Sequence, residues 1–191
     1  MICESSDSSD SSDSSRPSGT SKSSGYAGKN GGEGTNHLHS VEFRCEQASV
    51  DDILSLRARE LRAGKPVDSA RFPEDHDPLT FHFAAWFQNR LIGCLTLIGH
   101  AGESMPTWQL RGMATDKSRQ NMGVGRALLL FAESCLSDYC RTNYGRPKAR
   151  IWCNARTLAV PFYRKMGYEV ISDEFMIEHV GPHYKMEKNI L

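Results

Sequence analysis

The chain has 191 residues, enough for one domain or a domain with a tail, and 23 Lys+Arg balance 23 Asp+Glu to a net charge of zero. That balance argues against broad nucleic-acid binding, which needs a basic surface. No apolar run approaches the ~18 residues of a membrane span, and the longest, around Ala127 to Ala132, is a helix face.

Residues 1 to 40 are Ser, Asp and Gly with few apolar side chains. Such a segment buries too little surface to offset its ordering entropy and is expected to be a disordered tail. His37 and His39 lie in it without partners at metal-ligand spacing, so no metal site is expected there. Met1, Ile2 and Cys3 run straight into Glu4 and a Ser/Asp run, too short and too acidic an apolar start for a secretory signal to be expected.

A domain is expected over residues 41–191. Val41 to Cys45 alternates as a half-buried strand does. Ser49 is placed to cap a helix with Asp51 and Asp52 in its first turn, ended by Gly64 and Pro66. Residues 64 to 79 form a proline-containing loop, with Glu74, Asp75 and Asp77 around His76. It reads as a solvated surface, or as a wall that attracts a cationic amine. Thr80 to Phe87 and Leu91 to Ile98 are strands of a hairpin closed by Gln88-Asn89-Arg90. His82 falls on the first of them, where a lone histidine is more often structural than catalytic.

After a loop from Gly99 to Pro106, Trp108 to Thr115 is a strand with Gly112 inside it, the mark of a bulge or of another group's close approach. Then comes Gln120-Asn121-Met122-Gly123-Val124-Gly125-Arg126-Ala127, which opens a helix reaching about Cys140. Val124, Ala127, Leu128, Phe131, Ala132, Cys135, Leu136 and Tyr139 supply its apolar face. Asn143 to Lys148 is a turn, and Ala149 to Cys153 a buried strand. Thr157 is a candidate N-cap for a short helix with Pro161 near its start and Gly167 at its close. Tyr168 to Ile171 and His183 to Met186 are the last strands, the latter after a Gly181-Pro182 turn. The six cysteines include no C-x-x-C pair, and all but Cys3 sit in apolar periodic segments. They read as reduced core cysteines of a cytosolic protein.

The glycine run is built for phosphate. The first amides of a helix lack intrahelical partners, and the helix dipole puts partial positive charge there. Glycine lets the backbone approach a ligand, and Arg126 adds a fixed charge. Two familiar loops are excluded. The dinucleotide fingerprint would need Gly or Ala where Leu128 stands, and the P-loop's G-K-[S/T] is absent.

Three motifs and the element order together resemble the GNAT superfamily of N-acyltransferases. The motifs are R-G-M-A-T before the loop, Q-x-x-G-x-G in it, and N-A-R-x-x-A-V-P-F-Y-R-K-M-G-Y after it. The closing G-P-H-Y-K-M is similar to the end of the ElaA/YjcF-like branch. The resemblance covers about 41 to 191. It implies an α/β (α+β) fold with a mixed, mostly antiparallel central sheet flanked by helices, and acetyl-CoA as donor.

The resemblance also implies roles. Met113, Ala114 and Thr115 would receive the pantetheine arm. Gln120, Asn121, Met122, Gly123, Val124, Gly125 and Arg126 would hold the pyrophosphate. Asn154 would contact the cofactor beside the thioester, and Tyr163 would be the general acid for the departing thiolate. No metal is implied. His82, His183 and Glu103 remain open as the base. The acceptor expected is a small-molecule primary amine. A protein amine, or a non-catalytic acyl-CoA sensor, is the alternative. A cytoplasmic location is expected, with no nucleic-acid or membrane partner and a homodimer left open. Leu61 to Pro66 departs from the branch's V-F-x-x-E-Q, which leaves the acceptor in question.

Overall fold

A computed structural model of the protein describes residues 42–100 and 106–190. The predicted tail over 1–40, Val41 and the candidate base Glu103 lie outside the described residues.

The first strand, β1, runs Arg44–Ala48, further along than the local alternation indicates. Its antiparallel register against the next strand, Arg44 opposite Trp86 through Ala48 opposite His82, sets its span. Helix α1, Val50–Leu61, begins at Ser49 as predicted. The Ser49 hydroxyl accepts from the Asp52 amide at 3.2 Å, and the Asp52 carboxylate accepts from the Ser49 amide at 2.9 Å. Two of the helix's orphan donors are thereby satisfied reciprocally.

Strands β2 (Thr80–Phe87) and β3 (Arg90–His100) form the predicted hairpin, closed by two residues with Gln88 at φ +54°. Strand β4, Thr107–Thr115, carries the predicted bulge. The register against β3 shifts between Cys94 and Thr96, and Gly112 stands at φ +59°. A Cβ there would lie 3.0 Å from Arg57 Nε and 3.1 Å from the Phe72 ring, so the close approach is by side chains of the protein itself.

Helix α2, Val124–Tyr144, outruns its predicted end and stops at left-handed Gly145. Strand β5, Ala149–Arg156, is also longer than predicted. Thr157 does not cap the next helix, α3 (Val160–Lys165). Its hydroxyl donates to Glu174 instead, at 3.0 Å, and begins a single 3-10 turn. Gly167, at φ +84°, closes α3 as predicted. Three strands complete the chain: β6 (Glu169–Val170), β7 (Phe175–Ile177) and β8 (Gly181–Ile190). The pattern reading missed β7. It also placed the last turn at Gly181-Pro182, whereas the chain turns one step earlier, with Val180 N donating to Ile177 O at 3.0 Å and His179 at φ +60°.

Among the described residues eight strands make one sheet, ordered β1-β2-β3-β4-β5-β8-β6 with β7 also on β8, and every pairing there is antiparallel except β4 with β5. The helices lie on opposite faces. Leu128, Leu129, Ala132 and Leu136 of α2 pack with Phe83, Leu95, Leu97 and Trp108 in the main core. Ile53 and Leu56 of α1 pack on Ala84, Cys94 and Ala114. The two clusters use alternate residues of the same strands, as the pleat requires. The five described cysteines are free, four of them buried.

Candidate active site: a split sheet beneath an open helix end

The predicted phosphate loop is an exposed approach to a helix that nothing caps. Gly123 is the N-cap in left-handed conformation, φ +80°, and no side chain accepts from the first turn. The helix ladder starts with Ala127 N donating to Gly123 O. The amides of Val124, Gly125 and Arg126 therefore have no intrahelical acceptor. Gln120, Asn121, Met122, Gly123 and Arg126 are exposed around them. Gly125 lies close over β4. A Cβ there would be 3.3 Å from Met113 Cε and 3.5 Å from Thr115 Oγ1. Gln120 steadies the strand end by donating to Thr115 O at 3.3 Å.

Beneath this helix end the sheet divides. Strands β4 and β5 run parallel but pair only over Thr107–Gln109 and Arg150–Trp152. β4 continues to Thr115 and β5 to Arg156 with no ladder between them. The facing edges are open backbone, a place for an extended ligand arm. The split opens into a cleft of about 300 Å3 whose walls include Met113, Asn154 and Tyr163. Of the residues assigned by sequence, Met113, Asn154 and Tyr163 thus meet in one cavity, while Gly125 touches Met113 from above.

Tyr163 is buried in the cleft wall, and its hydroxyl donates to Met113 Sδ at 3.6 Å. Burial drives its pKa far above the ordinary phenol value, and the neighbouring Cys153 adds to the shift. The hydroxyl therefore stays protonated at neutral pH. Burial also holds the thiols of Cys94 and Cys153 up near about 12 and that of Cys45 near about 11. Those of Cys135 and Cys140 shift the same way. None of the five is poised as a nucleophile.

The α1 face of the cleft was not legible in the sequence. Arg57 is buried in α1 and forms a two-oxygen ion pair with Asp75, 2.9 Å to each. Its guanidinium also donates to Ala70 O (3.1 Å) and Thr96 Oγ1 (2.6 Å). Phe72 lies against both Arg57 and Arg111, its ring centre 4.3 and 4.1 Å from the two guanidinium carbons. The acidic loop, read as a possible wall for a cationic amine, puts none of Glu74, Asp75 and Asp77 into the lining of the cleft. Asp75 is spent on Arg57, and Glu74 sits 3.4 Å from Arg111.

Two of the three candidate bases can now be compared. His82 is buried with both ring nitrogens occupied. Nε2–H donates to Asp75 O at 2.9 Å, which leaves Nδ1 to accept from Thr96 Oγ1 at 2.9 Å. Burial lowers its pKa, so it stays neutral and structural. His183 lines the cleft. Its Nδ1–H donates to Gly181 O at 2.8 Å, so in the neutral ring Nε2 carries the free lone pair. Among the described residues no group of three or more His, Cys, Asp or Glu is arranged to hold a metal ion, and no helix is long and apolar enough to cross a membrane.

Known proteins resemble this chain in sequence and in fold. A family model described as an acetyltransferase (GNAT) domain matches residues 78–170, which span β2 to β6 and hold the helix end, the split and Tyr163. YitI of Bacillus subtilis, an uncharacterised N-acetyltransferase, is 28% identical over 148 residues, covering 74% of this chain and 93% of its own. In fold, the chain resembles an aminoglycoside 6'-N-acetyltransferase complexed with coenzyme A, with TM-score 0.60 and 16% identity over 77% of this chain and 97% of that one. Escherichia coli ElaA is similar in fold too, with TM-score 0.57 and 14% identity over 75% and 98%. The chain belongs to the GNAT superfamily of acetyl-CoA-dependent N-acetyltransferases.

Proposed function

We propose that the protein transfers the acetyl group of acetyl-CoA to a primary amine of a small molecule, by direct attack within a ternary complex. The observation that carries this is the buried, protonated Tyr163 hydroxyl at the split between β4 and β5, beside an uncapped helix end. The pyrophosphate would rest on the amides of Val124, Gly125 and Arg126, with the loop from Gln120 around it. The pantetheine arm would run along Met113, Ala114 and Thr115 into the split and bring the thioester to Asn154 and Tyr163.

The chemistry then needs no enzyme nucleophile, consistent with five thiols all held protonated by burial. The amine nitrogen bonds to the acetyl carbon, and the carbon–sulfur bond breaks. Tyr163 gives its proton to the departing thiolate and regains one from solvent. His183 Nε2 takes the proton that the amine loses. Catalysis rests on positioning and two proton transfers.

The test is thiol release with an amine panel, alongside calorimetry with coenzyme A. Tyr163→Phe should lower kcat by roughly a hundredfold or more and leave coenzyme A affinity within about twofold. Gly125→Asp should abolish coenzyme A binding, because its side chain crowds Met113 and Thr115 and its charge opposes the pyrophosphate. Full turnover by Tyr163→Phe would remove the acid. Undiminished affinity in Gly125→Asp would remove the loop.

A further inference from the structure

The charge on the α1 face of the cleft points to the chemical class of the acceptor. Leu110, Cys153 and Ala155 face the α2 core, so by alternation Arg111, Asn154 and Arg156 face the other way. There they line the cleft with Arg62 from the end of α1. No aspartate or glutamate lines it among the described residues.

The arginines differ in how far they are already matched. Arg57 is neutralised by Asp75. Arg111 is only loosely offset by Glu74, at 3.4 Å in a partly exposed pair, a contact of little strength. The hydrogen bond of Arg62 is a 3.5 Å contact with the carbonyl of its neighbour Leu61. The Arg156 side chain is exposed and makes no hydrogen bond or ion pair among the described residues. Thr157 holds Glu174, the carboxylate on the facing segment, through its hydroxyl. The cleft thus presents guanidiniums in excess of carboxylates, with Phe72 as an apolar wall between them.

We infer that the acceptor is an amine that also carries a carboxylate or phosphate, and that Arg156, Arg111 and Arg62 hold that anion while the amine meets the thioester. Guanidinium pairs bind such oxyanions with two parallel hydrogen bonds. A polyamine or other polycation would face like charge in the same space. The field helps the reaction as well. Nearby positive charge lowers the pKa of the bound amine and so raises the share of the neutral form that attacks. The inference rests on the acetyltransferase reading of the cleft. It reverses one of the two readings of the acidic loop, the one in which a cationic amine is attracted.

Matched acceptors test it: phenylalanine against phenylalaninamide for carboxylate, phosphoethanolamine against ethanolamine for phosphate, and spermidine as the polycation. The anionic member of one pair should be preferred at least tenfold in kcat/KM. Arg156→Gln and Arg111→Gln should each raise KM for it about tenfold while coenzyme A affinity stays within about twofold. Calorimetry of the same pairs on the coenzyme A complex gives a readout independent of turnover. Spermidine or the neutral members serving as well as the anionic ones, or none of the anionic amines binding the complex, overturns the inference. Failure of coenzyme A itself to bind brings down the acetyltransferase reading and this inference with it.

Discussion

Arg57 and Asp75 show how much one pair of side chains can decide. In sequence Arg57 is a polar position on an amphipathic helix, and Asp75 belongs to what reads as a solvated acidic loop. In the fold both are buried, 2.9 Å apart, and the pair ties α1 to the 3-10 turn Pro73–His76. Asp75 Oδ2 also accepts from the Phe72 amide at 2.9 Å, which fixes the ring against Arg57 and Arg111. Asp75→Ala leaves a buried guanidinium uncompensated, and such losses cost roughly 3–5 kcal/mol. Urea unfolding should show a drop of that size. A change under about 1 kcal/mol would mean that the pair is solvated and that the loop does not hold the cleft wall.

Strand β4 links the cleft to the glycine loop that opens α2. Its bulge at Gly112 admits Arg57 and Phe72, and its end is tied down by Asp116. The Asp116 carboxylate accepts from Ser118 Oγ (2.7 Å) and its amide (2.9 Å), from Arg90 (2.7 Å) and from Arg59 (3.0 Å). One buried carboxylate thereby joins the entry of the loop to α1 and to the β2–β3 turn. These bonds, that from the Ser118 hydroxyl first, hold its pKa down to about 2. In the unfolded chain the value is near 3.9. The folded pKa is depressed, so the stabilisation is complete above pH ~4 and is lost as pH falls from there towards about 2. The stability gap between the native protein and Asp116→Asn should be flat from pH 7 to 5 and narrow below pH ~4. A gap that does not change with pH would assign its whole effect to packing.

At the scale of the molecule, the sheet is one continuous element broken at one seam, and the seam is where the cofactor arm is proposed to enter. The domain reading makes a further prediction at this scale. Deleting residues 1–38 should leave the melting temperature within a few degrees and coenzyme A affinity unchanged, because a Ser/Asp/Gly segment adds little apolar burial. A large fall in either would make that segment part of the fold or the site.

Much of the architecture was legible because it is written in local signals. The Ser49 cap, the hairpin joint at Gln88-Asn89-Arg90, the apolar stripe of α2, the bulge at Gly112 and the closing Gly167 each depend on residues a few positions apart. The uncapped helix end at Gly123 is of the same kind. β7 escaped because Phe175–Ile177 is three residues long, too short for alternation to show. Thr157 was misread because its hydroxyl has a better partner, Glu174, that no local rule anticipates.

The sequence by itself determined the order of the elements and the glycine-rich helix start, which follow from periodicity and from glycine at set spacings, and its motifs implied the fold through their resemblance to the GNAT superfamily. Only the tertiary structure decided the character of the acceptor side. It spends Asp75 on Arg57, brings Arg62, Arg111 and Arg156 into one cleft from three elements, and leaves Nε2 of His183 free there. Charge in a cleft is a sum over residues far apart in the chain, and that sum exists only once the strands have paired.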